Sequence, residues 1–229
     1  MPSPILRHLR SSAFERLHLR HNPFGELTRT ERAAIACVET GEVASFLAES
    51  ARGERRALQL IADHGRGKST LLIALHARVF PDAPFVQLRP GDPVPAFDPG
   101  ERLHFVDSIE NQGWIGRRKL FARCQNLACT THRDLEHELV RAGFRVLTKR
   151  VGIGSFGELL NIARARVESA ALPTGRPPAP PYELMLKLHA EFGDDVRSIE
   201  HALYHEYERL RAGKGDPFHG QVQPPYRAS

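Results

Sequence analysis

The pattern of apolar and polar residues changes character near residue 154. Before that point, short apolar runs alternate with segments whose apolar residues recur every three or four positions, which is typical of buried strands between amphipathic helices. The predicted strands lie at 57–62, 84–88, 103–106, 127–131 and 144–147, and the predicted helices at 30–50, 71–80, 114–125 and 134–142. Strands that alternate with helices predict an α/β fold with a parallel sheet flanked by helices.

The region after residue 154 shows only helical patterns. Apolar stripes at helical spacing run from Phe156 to Ala170 and from Val196 to Leu210. The segment 173–181 between them is rich in proline, so it predicts a connection and not a helix interior. The expected parts are an N-terminal arm (1–30), an α/β core (31–154), a small C-terminal all-helical subdomain (155–212) and a flexible tail (213–229).

The composition is that of an ordinary globular protein, with 41% hydrophobic and 26% charged residues, which argues against intrinsic disorder. No apolar run approaches the roughly 20 residues of a membrane helix, and the basic N-terminus lacks the apolar segment of a signal peptide. We therefore expect no membrane span and a cytoplasmic location. The three cysteines, Cys37, Cys124 and Cys129, lack metal-ligand spacing and are predicted to be ordinary buried or half-buried thiols in a reducing compartment.

Residues 62–70, Ala-Asp-His-Gly-Arg-Gly-Lys-Ser-Thr, connect a predicted strand to a predicted helix. This is the context of a phosphate-binding loop (P-loop), in which backbone N–H groups surround a phosphate, a lysine reaches its oxygens and a hydroxyl binds Mg²⁺. Ala62 stands where the usual pattern has its first glycine, and alanine is the smallest replacement. The residues assigned to nucleotide binding are Asp63, His64, Gly65, Arg66, Gly67, Lys68, Ser69 and Thr70.

A magnesium site at this loop needs an acidic residue at the end of a neighbouring strand. Asp107 directly follows the apolar residues 103–106, so Ser69 and Asp107 are the predicted metal ligands. The glutamate expected next to such an aspartate is absent, because Ser108 stands there, and the nearest acid is Glu110. Glu110 reaches a water in the site only if the strand ends at Asp107 and the chain turns, since it faces away on a continuing strand.

With these two motifs, the sequence resembles the AAA+ family of P-loop ATPases over about residues 20–212. Residues 130–135, Thr-Thr-His-Arg-Asp-Leu, are similar to the strand end that carries the family's sensor 1 residue. The resemblance implies that a polar side chain here orients the attacking water. Thr131 is the first candidate, with Thr130 and His132 close behind.

Two arginines take their predicted roles from the same resemblance. Residues 138–144 resemble the helix end where many AAA+ proteins place an arginine finger that acts on the nucleotide of a neighbouring subunit. This implies such a role for Arg141, with Arg145 as the alternative. Residues 193–200 resemble the sensor 2 region, which implies that Arg197 reaches the γ-phosphate.

The resemblance extends to the C-terminal helices and to the N-terminal arm. Residues 157–162 together with Arg166 are similar to the first helix of the AAA+ lid, so the part 155–212 is implied to be a helical lid. The run Asn22-Pro23-Phe24 resembles the start of ATPases related to the general secretion pathway. In those proteins the arm lies near the adenine base.

The resemblance implies an ATP-binding, Mg²⁺-dependent ATPase that couples hydrolysis to a conformational change on a protein or nucleic acid partner. Its catalytic residues are expected to be Glu110, Thr131, Arg141 and Arg197. An arginine finger that acts between subunits also implies a homo-oligomer. Two alternatives stay open: a non-hydrolysing, ATP-gated binding module, suggested by Ser108, and a small-molecule kinase, for which we find no second-substrate motif.

Two further groups of residues have no assigned role. The net charge of +5 permits a polyanionic partner, and a basic cluster within 117–123 is either a solvated helix face or a nucleic acid contact. The twelve histidines show no complete metal-binding motif. His201 and His205 are one helical turn apart, which is a metal-ligand spacing without a third ligand. The basic cluster consists of Arg117, Arg118, Lys119 and Arg123.

Overall fold

The structure is a computed structural model that describes residues 14–49, 54–98 and 100–214. The chain divides into two compact units. One unit is Leu27–Ile153, and the other combines the described parts of Met1–Glu26 and Gly154–Ser229. The first part of the predicted arm and the predicted tail from residue 215 onward lie outside the described residues.

The unit Leu27–Ile153 is built on a parallel sheet, which among the described residues has five strands in the order β2-β3-β4-β1-β5. Every residue of β4 is buried, and so is every residue of β1 after the first. Strands that are buried on both faces need helices on both sides. The prediction of a parallel α/β sheet is thus confirmed. The strands are β1 (Arg55–Ile61), β2 (Phe85–Gln87), β3 (Leu103–Asp107), β4 (Asn126–Thr131) and β5 (Phe144–Arg150).

Helices cover the two faces of this sheet. One apolar cluster joins α2 and α3 to the sheet through residues such as Leu47 and Leu72. The other cluster joins α4 and α5 to the sheet through residues such as Phe121 and Leu139. The helices are α1 (Arg29–Ile35), α2 (Gly41–Ala48), α3 (Lys68–Val79), α4 (Trp114–Arg123) and α5 (Glu136–Arg141).

The single helix predicted at 30–50 was wrong, because the structure has α1 and α2 there. Thr28 and Glu31 cap the start of α1 with reciprocal hydrogen bonds. The helix ends at Ile35, and the backbone of the next residue, Ala36, is extended at φ −62° and ψ 116°. Two β-branched residues, Val38 and Thr40, then precede α2, and such side chains disfavour a continuous helix.

The second unit contains α6 (Phe156–Ala170), α7 (Tyr182–Phe192) and α8 (Val196–Arg211). The apolar stripes in the sequence predicted α6 and α8. No stripe predicted α7, which follows the proline-rich connection. Within the described residues, no helix is both long and apolar enough to cross a bilayer.

The described N-terminal residues pack against these helices. The Asn22 amide donates a hydrogen bond of 2.9 Å to the carbonyl of Tyr204, and the Phe24 ring lies 5.3 Å from the ring of Tyr207. Arg166 is buried and donates to the carbonyl of Gly25 at 2.6 Å. The turn that begins at Asn22 is therefore an integral part of the helical unit.

Candidate functional site

The loop between β1 and α3 has a backbone that depends on glycine. Gly65 and Gly67 have φ values of 78° and 88°, in the left-handed region that other residues rarely adopt. α3 begins at Lys68, directly after Gly67. The unpaired N–H groups of its first turn therefore point back toward the loop, which is an arrangement that binds anions.

Lys68 is 7% exposed and extends along this loop. Its ammonium group donates to the carbonyls of Ala62 at 2.7 Å and Asp63 at 2.8 Å. A third contact, of 3.2 Å, joins it to Nδ1 of His132. The positive charge of Lys68 thus lies against the backbone of the loop that was predicted to bind phosphate.

Asp107 brings three elements together at the ends of the strands. It is 2% exposed, and its Oδ1 accepts hydrogen bonds from the hydroxyls of Ser69 at 2.9 Å and Thr130 at 2.6 Å. A carboxylate and a hydroxyl are hard oxygen ligands, which Mg²⁺ prefers. Among the described residues, no three His, Cys, Asp or Glu side chains gather to hold a metal. Mg²⁺ usually takes only one or two protein ligands beside phosphates and waters, so the pair of Ser69 and Asp107 fits it.

The chain turns sharply after Asp107. Ser108 has φ 61° and ψ 51°, and its N–H donates to the Thr130 hydroxyl at 2.7 Å. A short 3₁₀ turn, Ile109–Asn111, follows. This turn places the Glu110 carboxylate at the strand ends, which is the condition on which its predicted role depends.

Glu110 and His132 form a contact beside the loop. Oε1 of Glu110 lies 3.3 Å from Nε2 of His132. The other oxygen, Oε2, is buried and has no hydrogen-bond partner among the described residues. Unsatisfied buried oxygens are costly in folded proteins, so this one calls for an explanation.

His132 connects the loop to Glu110. Its Nδ1 lies 2.9 Å from the carbonyl of Ala62, and its ring packs on His64 with centroids 3.8 Å apart and an interplanar angle of 37°. Burial lowers the pKa of His132, and the nearby Lys68 ammonium lowers it further. The ring is therefore neutral at pH 7. Nδ1 lies between the Ala62 carbonyl, which needs an N–H donor, and the Lys68 ammonium, which needs a lone pair, so the tautomer decides which of the two contacts is a hydrogen bond.

The two neighbouring threonines at the end of β4 have different surroundings. The Thr131 hydroxyl donates to the carbonyl of Arg133 at 2.8 Å and accepts from its N–H at 3.0 Å, so it closes a local turn. Thr130 instead contacts Asp107. Successive residues of a strand point to opposite faces, and the sequence does not tell which of two adjacent threonines faces the site. The structure thus places the Thr130 hydroxyl and the His132 ring in contact with other site residues, whereas the role of Thr131 toward a water stays a prediction.

The predicted arginines lie at helix ends. Arg141 is the last residue of α5 and is exposed. Arg145, the alternative finger, lies 3.3 Å from the carboxylate of Glu54. Arg197 is exposed in the first turn of α8, in the helical unit. The roles of Arg141 and Arg197 toward a nucleotide stay predictions.

The predicted basic cluster on α4 is smaller than the sequence indicated. Arg117 is buried, and its guanidinium donates to both carboxylate oxygens of Glu138 at 2.8 and 2.7 Å. It also donates to the carbonyl of Gln112 at 2.7 Å. Arg117 therefore fastens α4 to α5 and cannot serve as a surface contact for nucleic acid. Arg118 and Lys119 are exposed.

The prediction of buried or half-buried thiols is confirmed for Cys124 and Cys129 and is wrong for Cys37, which is exposed. Burial raises the pKa of the Cys124 thiol to about 12 and also raises that of Cys129. Both buried thiols are therefore protonated at neutral pH and are poor nucleophiles.

No protein-family model and no curated protein matches this chain. Among solved structures, Orc1 from Aeropyrum pernix in complex with DNA matches with a TM-score of 0.52 and 18% identity, over 87% of this chain and 64% of its own. NtrX from Brucella abortus in complex with ATP matches with a TM-score of 0.47 and 14% identity, over 93% and 56%. The chain thus spans less than two thirds of the length of either structure. The likeness to Orc1 confirms the fold, which is a parallel α/β sheet flanked by helices with a C-terminal helical region.

Proposed function

We propose that this chain binds ATP with Mg²⁺ at the loop 62–70 and hydrolyses it to drive a conformational change. The observation that carries the proposal is the contact of 2.9 Å between Ser69 and Asp107, one residue along the helix from the buried Lys68. Lys68 and the loop N–H groups would hold the β- and γ-phosphates, and Ser69 and Asp107 would hold the metal. Bound Mg²⁺ would neutralise charge on the phosphate oxygens.

Glu110 is the proposed residue that positions the attacking water. Its buried Oε2 lacks a partner among the described residues, and a water that donates a proton there would supply one. The neutral His132 would orient the carboxylate through its contact with Oε1. Phosphoryl transfer is catalysed mainly by positioning and electrostatic stabilisation, and the residues named here would supply both.

The proposal includes three elements that come from the resemblance. Arg141 would act as an arginine finger in a homo-oligomer, and Arg197 would sense the γ-phosphate. The partner moved by the cycle would be a protein or a nucleic acid. The exposed Arg118 and Lys119 on α4, and the DNA in the Orc1 complex, support including nucleic acid in the first assays.

The proposal is tested by calorimetric ATP binding and by phosphate release from Mg·ATP, each with and without DNA. We expect Lys68→Ala to weaken ATP binding and to reduce turnover at least about a hundredfold. Lys187→Ala is the matched control, because it removes the same charge from an exposed position on α7. ATP binding that is equally strong in wild type and Lys68→Ala would contradict the proposal.

A non-hydrolysing, ATP-gated module is the second candidate. The observation in its favour is Ser108, which stands where an ATPase of this type carries glutamate and whose N–H is bound to Thr130. ATP binding that depends on Lys68, without phosphate release, would support it. Phosphate transfer to an added acceptor would instead support a small-molecule kinase.

A further inference from the structure

Two histidine rings on α8 face each other across one helical turn. His201 and His205 are both exposed, and their Nε2 atoms are 3.2 Å apart. The ring centroids are separated by 4.5 Å, with an interplanar angle of 87°. Both ring nitrogens that point away from the backbone therefore converge on one small volume of space.

The separation of the two nitrogens matches the geometry of a shared metal ion. Zinc binds histidine nitrogen at about 2.0–2.1 Å, so two nitrogen ligands of a tetrahedral ion lie about 3.3–3.4 Å apart. The observed 3.2 Å between the Nε2 atoms of His201 and His205 is within about 0.2 Å of that separation. The two nitrogens therefore have nearly the spacing of two ligands to one ion.

The helix that carries the histidines is held firmly by its other face. Ile199, Leu203 and Tyr207 of α8 are at most 1% exposed. The ring of Tyr204 also contacts the ring of His205 edge-on, with centroids 5.6 Å apart. A rigid helix and a packed ring reduce the conformational entropy that a metal has to overcome on binding.

We propose that His201 and His205 form a two-imidazole chelate for a divalent transition metal of the zinc type, with water in the remaining positions. Imidazole suits Zn²⁺, Cu²⁺ and Ni²⁺, whereas Mg²⁺ prefers oxygen. The site is therefore chemically separate from the pair of Ser69 and Asp107. Because the described residues offer no group of three ligands, the site is open and exchanges its ion readily.

The first test is a calorimetric titration of the full chain with Zn²⁺, without nucleotide. We expect one Zn²⁺ site per chain. His201→Gln and His205→Gln should each weaken Zn²⁺ binding at least about tenfold, because the remaining histidine then has no second ligand at high effective concentration. His137→Gln is the matched control, since His137 is exposed on a helix. The residues four positions before and after it are Arg133 and Arg141, so it has no histidine partner at that spacing. Equal affinity in wild type and both chelate variants would overturn the proposal.

A second measurement identifies the ligands directly. Electron paramagnetic resonance of bound Cu²⁺ should show coupling to two imidazole nitrogens in wild type and to one in His205→Gln. Saturating Zn²⁺ should raise the melting temperature of the wild type more than that of the variant, since a ligand that binds the native state stabilises it. Circular dichroism checks that the variants retain their helix content. Identical spectra and identical thermal shifts in wild type and variant would overturn the proposal.

Discussion

Both units contain buried cations, and one from each, Lys68 and Arg166, can be compared because their partners differ. Lys68 in the α/β unit donates to two backbone carbonyls and contacts a neutral imidazole. Arg166 in the helical unit lies 3.3 Å from the carboxylate of Glu200, donates to the carbonyl of Gly25 and sits over the ring of Phe24. Phosphate oxygens form stronger, charge-assisted bonds than carbonyls and can replace them at Lys68. Burial alone therefore does not distinguish the lysine with the proposed phosphate-binding role from the arginine that holds the helical unit together, whereas their partners do.

The largest predicted effect is a loss of stability that distinguishes Arg166 from Lys68. Arg166→Met removes an ion pair and the hydrogen bond to Gly25, so we expect the free energy of unfolding to fall by about 2–4 kcal/mol. Chemical denaturation measures this change. Arg164→Met is the control, because Arg164 is exposed on the same helix, and we expect a change within about 0.5 kcal/mol. Equal losses in the two variants would show that Arg166 does not hold the helical unit together.

Acid extends the comparison to a buried group of the α/β unit that resists becoming a cation in the folded chain. Burial lowers the pKa of His104, whose ring packs on Phe97 with centroids 4.1 Å apart. The unfolded chain therefore takes up this proton at a higher pH than the folded chain. Stability is full above the ordinary histidine pKa and declines as the pH falls below it. One such proton contributes at most about 1.4 kcal/mol per pH unit.

The measurement is the free energy of unfolding at several pH values between 7.5 and 5. We expect His104→Leu to flatten the acid decline relative to wild type. His76 and His132, whose pKa values are also lowered by burial, should account for part of what remains. His137→Gln, at an exposed position, is the control for the removal of a histidine as such. An unaltered slope in His104→Leu would show that another group controls acid stability.

The smallest effect on stability is expected at Lys68 itself. Lys68→Met keeps the length of the side chain and relieves the cost of a buried charge, while it leaves two carbonyls without the ammonium group. We expect these changes to offset each other within about 1 kcal/mol. Denaturation of Lys68→Met beside Arg166→Met checks this. A loss as large as that of Arg166→Met would remove the distinction between the two cations.

Local spacing made the centre of the site predictable. The loop 62–70 is contiguous, and strand ends meet at one edge of a parallel sheet, so the amino-acid sequence alone is enough to pair Ser69 with Asp107. The choice between Thr130 and Thr131 depends on the orientation of a single strand residue, which pattern does not resolve. The ion pair of Arg117 joins two helices, and no local signal marks a partner that far along the chain.

The fold was predictable where hydrophobic periodicity decides it and less so elsewhere. The parallel sheet follows from apolar runs between helical segments, because burial on both faces dictates that pattern. The break between α1 and α2 was missed because apolar residues keep helical spacing across it, while the caps that end α1 are local hydrogen bonds. The packing of Asn22 against α8 depends on a contact between distant parts of the chain.

The discontinuous helical unit has a consequence for the order in which the protein folds during synthesis. Leu19 pairs with Ala171, and Arg20 bonds to a carbonyl 149 residues further along the chain. Residues 14–26 therefore leave the ribosome long before their partners exist, whereas the α/β unit that follows them can fold as a continuous stretch. Until α6 and α8 are made, Leu19 and Phe24, which are at most 5% exposed in the finished protein, remain open to water. A nascent chain stalled at that stage presents these side chains to chaperones and to other nascent chains.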